Sequence, residues 1–234
     1  MLGRFRVVLV EPQYPINIGS VARVCANFEA SGIHLVAPRV DLASKDNYVQ
    51  RDAFAFAKGN AREFLDKATT TTTLRDSLEG CFAAVGFSRF GQGSRRNNSR
   101  RHAAPLTLSE LAALHGTSEQ YDAAGELGQV ALVFGSEDKG LSATHLSLCS
   151  HICYVPTGSF PSLNLSHTVA IALARIFEER TATFPNESRG LRCDPRLSST
   201  DDAFQEEEHV GEISGTKQVP IEVEALLWRW QQAL

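Results

Sequence analysis

The chain has 234 residues, of which 43% are hydrophobic and 21% are charged. This composition is typical of a globular protein with enough apolar side chains for a sizeable core, and it excludes wholesale disorder. The net charge of -4 comes from 27 acidic and 23 basic residues. Taken over the whole chain, this charge speaks against a nucleic-acid partner, because polyanion binding depends on Lys and Arg side chains.

The acidic residues, however, are concentrated near the C-terminus. From Thr181 to Leu234 the chain has ten acidic and five basic residues, so the first 180 residues are close to neutral. The net charge therefore does not exclude an RNA partner for this larger part of the chain.

No apolar run approaches the ~18 residues that cross a bilayer. The apolar stretch 7–10 meets Glu11 too early for the core of a secretory leader. An odd number of scattered cysteines favours reduced thiols over a disulfide framework, and we expect a cytoplasmic protein. The cysteines are Cys25, Cys81, Cys149, Cys153 and Cys193.

Short apolar runs alternate with segments of helical periodicity along the chain, which predicts an α/β fold with a mostly parallel sheet and flanking helices. In the first helical segment Val21, Val24, Cys25 and Phe28 recur at helical spacing. The predicted strands are residues 6–10, 33–36, 82–86, 130–134 and 152–155, and the predicted helices are residues 19–30, 48–68, 109–115 and 166–180.

The remaining segments have distinct compositions. The five threonines at 69–73 predict a cap for a helical turn at 74–78, because Thr suits N-caps better than helix interiors. Residues 91–102 carry four arginines and no apolar side chain, which indicates a basic loop. We expect one domain over residues 1–180, an acidic linker or disordered segment over 181–220 and a C-terminal helix over 221–234.

Three polar clusters follow predicted strands, where open α/β sheets bind ligands. They are residues 15–23, 135–141 and 161–166. Each cluster also has a purely structural explanation, since Asn and Ser commonly cap helices and Gly is common in turns. Three such clusters in one chain favour a binding site. The chain has no Gly-x-Gly-x-x-Gly and no Gly-Lys-Ser/Thr sequence, which makes a P-loop nucleotide hydrolase a poor candidate.

A metal site is not favoured by the sequence. His145, Cys149, His151 and Cys153 lie close together, but His151 and Cys153 alternate on a predicted strand and no second Cys pair completes a zinc site. Buried thiols explain these cysteines better. A serine hydrolase is equally disfavoured, because no Gly-x-Ser-x-Gly sequence is present.

The three clusters resemble the three motifs of the SpoU branch of the SPOUT RNA methyltransferases. Residues 12–23, Pro-Gln-Tyr-Pro-Ile-Asn-Ile-Gly-Ser-Val-Ala-Arg, resemble motif 1. Gly-Ser-Glu-Asp-Lys-Gly-Leu at 135–141 resembles motif 2, and Pro-Ser-Leu-Asn-Leu-Ser at 161–166 resembles motif 3. Within this branch, the start of motif 1 and Gly-Phe-Ser-Arg at 86–89 are most similar to the TrmJ family of tRNA 2'-O-methyltransferases. The resemblance covers residues 1 to about 180, with the motifs in the family's order and spacing.

The resemblance implies an S-adenosylmethionine-dependent RNA 2'-O-methyltransferase with a C-terminal deep trefoil knot, one of the few exceptions to the rule against threaded chains. It further implies a homodimer that methylates the ribose of the cytidine or uridine at nucleotide 32 in the tRNA anticodon loop, with no metal. The implied catalytic residues are Asn17, Arg23, Glu137, Ser162 and Asn164. The implied cofactor-binding residues are Phe87, Ser88, Arg89, Gly135, Val155, Ser162, Leu163 and Asn164.

Arg23 is assigned a positioning role rather than that of a base. An arginine is effectively always protonated, so its guanidinium is suited to holding a phosphate and stabilising a developing alkoxide. Four further arginines in the basic loop are candidates for RNA contact, the alternative being a merely solvated charged loop. Together with Arg23, the predicted RNA-binding residues are Arg95, Arg96, Arg100 and Arg101.

Two other functions stay open at this stage. One is methylation of ribosomal RNA or of another tRNA position, and the other is a catalytically silent RNA-binding dimer with the same fold. The presence of Asn17, Arg23, Glu137 and Asn164 together speaks against a silent protein. Glu29 departs from the resemblance, since it stands where the family commonly has Gly.

Overall fold

The computed structural model describes residues 2–40, 47–89, 105–113 and 128–183, with the backbone alone for residues 47–50, 113 and 183. These residues belong to one compact unit, Met1–Leu191. Its elements in chain order are β1 Phe5–Val10, α1 Pro15–Asn27, β2 Gly32–Val36, α2 Asn47–Phe56, α3 Ala61–Asp66, β3 Thr69–Thr71, α4 Leu74–Ser77, β4 Cys81–Phe87, α5 Leu108–Ala113, β5 Gln129–Phe134, α6 Ala143–Ser147, β6 His151–Cys153 and α7 Leu165–Thr183.

The six strands form one parallel sheet in the order β3-β2-β1-β5-β4-β6. The central strands β1 and β5 are buried along almost their whole length, as expected for a parallel sheet covered on both faces. One apolar cluster contains α1 and α7 residues and one face of the sheet, and a smaller cluster lies on the other face. The α/β class and the parallel sheet predicted from the sequence are confirmed.

Helix α1 begins earlier than the sequence predicted. The predicted start at Gly19 is wrong, because Pro15 occupies the first turn and the helix starts there. Proline fits this position, since its ring fixes φ and its missing N–H would have no helical partner. Gly19 lies instead where α1 meets α2. A Cβ at Gly19 would lie 2.0 Å from the carbonyl oxygen of Ala53, so this glycine permits the close helix contact.

One further expectation is corrected, and two elements, β3 and α6, were not predicted. The single helix predicted at 48–68 is two helices, α2 and α3, separated at Gly59, which has a φ of 59°. The threonine run contributes an edge strand, β3, that pairs with β2, because β-branched side chains fit an extended backbone. Thr73 is also the predicted cap, accepting a hydrogen bond from the backbone N–H of Asp76. Helix α6, whose Ser142 and His145 form a capping box, was not predicted.

Several predicted features lie outside the described residues. These are the basic loop at 91–102 with its four arginines, residues 184–220 of the acidic linker predicted at 181–220, and the C-terminal helix predicted at 221–234. Residues 181–183 of the predicted linker belong instead to α7, which ends at Thr183. Within the described ranges, none of the helices combines the length and the hydropathy needed to span a membrane.

Candidate active site

The candidate site lies at the carboxyl edge of the sheet, where the loops after β1, β4, β5 and β6 meet. Strand β1 pairs with β5, β5 with β4 and β4 with β6, so these four carboxyl ends are neighbours. The three polar clusters of the sequence all follow strands of this group. The topology therefore brings together segments that lie 120 residues apart in the chain.

Asn17, Glu137 and Asn164 form a continuous chain of hydrogen bonds. The side-chain amide of Asn164 donates to Oδ1 of Asn17 at 3.1 Å, and the amide of Asn17 donates to Oε1 of Glu137 at 2.8 Å. Asn17 is 7% exposed, so its amide is fixed by partners on both sides. One residue from each motif contributes to this polar chain, which orients the carboxylate of Glu137.

Asn164 is both a helix cap and a member of the polar chain. Its Oδ1 accepts hydrogen bonds from the backbone N–H and the hydroxyl of Ser166, both at 2.8 Å, at the start of α7. Its amide nitrogen remains available for Asn17. The structural and functional explanations of Asn164 are thus compatible. Asn17, in contrast, is no cap, because the residue before α1 is Tyr14 and Asn17 lies inside the first turn.

Glu137 holds the turn before α1. Its Oε2 accepts from the backbone N–H of Gln13 at 3.0 Å, and its Oε1 accepts from that of Tyr14 at 3.4 Å. A carboxylate is favourable here because unpaired N–H groups and the helix dipole make the start of α1 positive. Glu137 therefore joins the loop after β5 to the loop after β1.

A pocket of about 200 Å³ opens beside this polar chain. Its lining includes Phe87 and Phe134, whose rings stack with centroids 4.3 Å apart. Asn164 is not among the lining residues, although its neighbours on both sides are. The structure brings seven of the predicted cofactor-binding residues to this pocket: Phe87, Ser88, Arg89, Gly135, Val155, Ser162 and Leu163.

The turn after β5 forms one wall of the pocket and is tightly built. A Cβ at Gly135 would lie 2.0 Å from the carbonyl carbon of Gly140, so no other residue fits without moving the backbone. The N–H of Gly140 donates to the carbonyl of Ser136 at 2.9 Å, and Gly140 has a φ of 67°. The two glycines therefore fix the backbone that presents Glu137 and Asp138.

Sequence reasoning missed Gln13 and Asp138, which face each other across the two loops. The Gln13 amide donates to Oδ1 of Asp138 at 2.6 Å, and the Ser136 hydroxyl donates to the same oxygen at 2.9 Å. The hydrogen bond from Ser136, followed by those from the other donors, holds the pKa of Asp138 below its usual value. Both residues lie inside predicted motifs, but spacing alone could not show that they meet.

Arg23 does not join this cluster. It is exposed and follows Asn17 by six residues, which places it about 240° around α1 from Asn17 and about 9 Å along the axis. Its guanidinium has no hydrogen-bond or ionic partner within the described part of the chain. Arg23 therefore lies on a different face of α1 from Asn17, and it is not among the residues that line the pocket of its own chain.

The residues once considered as metal ligands have other contacts. Cys149 and Cys153 are buried, and burial raises the pKa of each thiol to about 12. His145 caps α6, and His151 lies 3.0 Å from the hydroxyl of Ser150. Over the described ranges, no group of three or more His, Cys, Asp or Glu side chains is placed to hold a metal ion.

Known proteins match this chain both in sequence and in fold. Residues 4–174 match the family model of the SpoU rRNA methylase family. The chain belongs to this family. It is therefore an enzyme, an RNA methyltransferase.

Named relatives agree with this membership. The chain is 30% identical over 182 residues to the tRNA (cytidine-2'-O-)-methyltransferase TrmJ of Methanocaldococcus jannaschii, covering 77% of this chain and 70% of the relative. It is 36% identical over 172 residues to the tRNA (cytidine/uridine/adenosine-2'-O-)-methyltransferase TrmJ of Pseudomonas aeruginosa, covering 73% of this chain and 59% of the relative. The chain thus spans somewhat more than half of the second protein.

Solved structures show the same fold. A probable methyltransferase from Bordetella pertussis superposes with a TM-score of 0.59 at 27% identity, covering 75% of this chain and 95% of the other. TrmJ from Z. mobilis superposes with a TM-score of 0.59 at 26% identity, covering 74% of this chain and 68% of the other. The sheet described above is therefore that of SpoU methyltransferases.

Proposed function

We propose that the chain is a tRNA 2'-O-ribose methyltransferase that uses S-adenosylmethionine and acts on the cytidine or uridine at nucleotide 32. The observation that carries the proposal is the polar chain Asn164–Asn17–Glu137 beside a pocket lined by residues of motifs 2 and 3. The relatives named TrmJ are tRNA 2'-O-methyltransferases, which supports this class of substrate. Position 32 rests on the resemblance of the motifs to the TrmJ family.

The pocket residues fit S-adenosylmethionine. Phe87, Phe134 and Leu163 supply apolar surface for an adenosine, while the tight turn at Gly135 exposes backbone groups. Glu137 and Asp138 at the rim supply negative charge for a cationic ligand. A structural neighbour, the SpoU methyltransferase AviRb of Streptomyces viridochromogenes, has been solved with this cofactor, with a TM-score of 0.52 at 19% identity. When bound, the cofactor supplies an electrophilic methyl group.

The protein's own residues would orient the ribose and stabilise charge. Methyl transfer to a hydroxyl is an in-line displacement, so alignment of the acceptor oxygen accounts for much of the rate. Asn17, Glu137 and Asn164, with Ser162 at the pocket rim, would fix the acceptor side of the site. Arg23 would hold the adjoining phosphate and stabilise the developing alkoxide, while the proton leaves to another group or to water.

A homodimer and a trefoil knot at the C-terminal part of the sheet belong to the same proposal. Arg23 and Ile16 are exposed on the outer face of α1, at a spacing of seven residues, with Ser20 between them. An exposed apolar side chain on the same helix face as an arginine is suited to contact with a second copy of the chain. In such a dimer Arg23 would bind RNA close to the active site. Chromatography with light scattering tests the dimer. A tRNA substrate places the proposed reaction in the cytoplasm.

A second candidate is methylation of ribosomal RNA or of another tRNA position. The matching family is named for the methylation of ribosomal RNA, and this supports ribosomal RNA as a second candidate substrate. The basic loop with Arg95, Arg96, Arg100 and Arg101, which lies outside the described residues, is proposed to contact the RNA backbone in either case.

The test is to incubate purified protein with bulk tRNA and labelled S-adenosylmethionine and then to map the modified ribose. Label at the 2'-oxygen of nucleotide 32 is the expected result. Label in ribosomal RNA or at another tRNA position would replace the proposal by the second candidate. Absence of S-adenosylmethionine binding in calorimetry, together with RNA binding, would favour a catalytically silent dimer.

A further inference from the structure

The loops after β1 and β5 are joined by two kinds of contact. Backbone N–H groups of Gln13 and Tyr14 donate to Glu137, as described above. In addition, the side chain of Gln13 donates to the carboxylate of Asp138 at 2.6 Å. Gln13 thus contacts two consecutive acidic residues, one through its backbone and one through its side chain.

We propose that Gln13 and Asp138 form a positioning pair that sets where Asn17 and Glu137 meet during methyl transfer. The proposal deepens the function assigned to this site and rests on the chain being an RNA methyltransferase. The side-chain hydrogen bonds of Asn17 go to Glu137 and Asn164, so the action of the pair would pass through the turn before α1.

The carboxylate of Asp138 is itself held in place. The hydroxyl of Ser136, a residue that is 7% exposed, donates to the same oxygen that accepts from Gln13. The turn that carries both Ser136 and Asp138 is closed by Gly135 and Gly140. Because this turn cannot easily move, Asp138 acts as a fixed point to which Gln13 attaches.

Gln13 is in turn attached to the catalytic side of the site. It precedes Tyr14, the N-cap of α1, and Pro15, its first residue. Loss of the side-chain contact of Gln13 is therefore expected to shift the start of α1 and with it Asn17. A displacement of about 1 Å at reacting groups can lower a rate by about a hundredfold. Arg39 has an electrostatic interaction with Asp138, but its side-chain hydrogen bonds go to Glu11. Gln13 is therefore the side chain that hydrogen-bonds to Asp138 across the two loops.

The experiment exchanges the two polar groups. In Gln13→Glu two carboxylates face each other. In Asp138→Asn the amide oxygen can still accept from both Gln13 and Ser136, which donate to the same oxygen of Asp138. In the double variant the amide at position 138 can turn so that its nitrogen donates to the new carboxylate at position 13 and to the hydroxyl of Ser136. We expect Gln13→Glu to lower kcat about tenfold or more with the KM for RNA within about twofold, Asp138→Asn to keep kcat within about twofold of the wild type, and the double variant to recover most of the loss. Asp66→Asn, the same change at an exposed α3 residue without a partner in the described ranges, is the control.

A second readout does not depend on activity. Thermal unfolding of the four proteins should show coupling between the two positions, with the double variant closer to the wild type than Gln13→Glu is. Coupling in unfolding with unchanged kcat in Gln13→Glu would overturn the positioning role. So would a double variant that folds and binds S-adenosylmethionine but recovers no kcat.

If Gln13→Glu does not fold, Gln13→Ala takes its place, because it removes the contact without adding a charge. Unchanged kcat in folded Gln13→Ala also overturns the proposal. The assay uses total RNA and then the RNA that the wild type methylates. A wild type inactive on tRNA but active on ribosomal RNA would therefore reject the tRNA substrate while the role of the pair is still measured.

Discussion

The amide of Asn164 donates a hydrogen bond to the side-chain carbonyl of Asn17 across 147 residues of sequence. This single contact connects the start of α7 to the start of α1, and through Asn17 it reaches Glu137. Each of the three side chains has a partner, so the polar chain is ordered before any ligand binds. Preorganisation of this kind reduces the cost of aligning an acceptor oxygen.

Asn17→Asp is expected to impair both stability and catalysis. The buried donor to Glu137 becomes a second carboxyl group, and two carboxylates at this distance cannot both ionise easily. The pKa of one of them rises in the folded state, so the loss of stability grows as pH increases through the unfolded carboxyl range near ~4 and becomes smaller at acidic pH. Thermal unfolding between pH 4 and 8 measures this.

Asn60→Asp is the matched control, because Asn60 is exposed before α3 and its side chain makes no capping hydrogen bond. We expect the unfolding of Asn60→Asp to depend on pH in nearly the same way as that of the wild type. An equal pH response in Asn17→Asp and Asn60→Asp would contradict the ordered contact between Asn17 and Glu137.

Arg23→Lys is expected to lower turnover on RNA about tenfold or more, since the charge stays but the planar fork that grips a phosphate is lost. Binding of S-adenosylmethionine should be unchanged, because Arg23 does not line the pocket of its own chain. Steady-state kinetics and calorimetry measure the two effects, with Arg62→Lys, at an exposed position of α3, as control. Near-normal turnover would reject the bidentate role.

Gly135→Ala is expected to abolish binding of S-adenosylmethionine and to lower the melting temperature. The added Cβ would lie 2.3 Å from the backbone nitrogen of Leu141, so the turn that forms one pocket wall must open. Gly158→Ala is the control, because nothing lies within 4 Å of the Cβ it would add. Cofactor binding by Gly135→Ala equal to that of Gly158→Ala would show that this wall is not part of the cofactor site.

Glu29→Gly is expected to stabilise the protein by about 1 kcal/mol, because Glu29 has a φ of 54°, where glycine is favoured and other residues are strained. This agrees with the departure seen in the sequence, where Glu29 replaces the family's usual Gly. Urea unfolding measures the change. Glu63→Gly in α3 should instead destabilise by about 1 kcal/mol, since it lies in a helix. Destabilisation by Glu29→Gly would contradict the proposed backbone strain at Glu29.

His34 is expected to make the protein less stable at acidic pH. Burial, with the nearby charge of Arg6, lowers the pKa of His34 to about 4. The folded state therefore protonates His34 only at a lower pH than the unfolded state does. Its contribution is complete above the unfolded value of ~6.5 and decreases as pH falls towards 4. His34→Gln should reduce the change of melting temperature with pH in this range, whereas His167→Gln, at an exposed position of α7, should leave it unchanged. If the melting temperature of His34→Gln changed with pH as much as that of the wild type, the lowered pKa of buried His34 would be contradicted.

Local patterns in the sequence were sufficient for five of the six described strands and for the position of the motifs, but not for the edge strand β3. Strands such as β1 and β5 are short, apolar and buried on both faces, and such runs are recognisable without a structure. Boundaries were less accurate, as at α1, because Pro15 can begin a helix that apolar periodicity shows only from its second turn. Helix α6 is only five residues long, too short for periodicity to reveal.

The sequence by itself determined the α/β class, the family and the residue types at the site, since each depends on local composition and on motifs read in order. Only the tertiary structure decided which side chains meet. Strand β5 lies beside β1, so Glu137 contacts Asn17 and Asp138 contacts Gln13. Arg23 lies on another face of the helix that carries Asn17 and does not line the pocket. Contacts of this kind depend on strand order and helix rotation, which arise from packing the whole chain and from no segment of it alone.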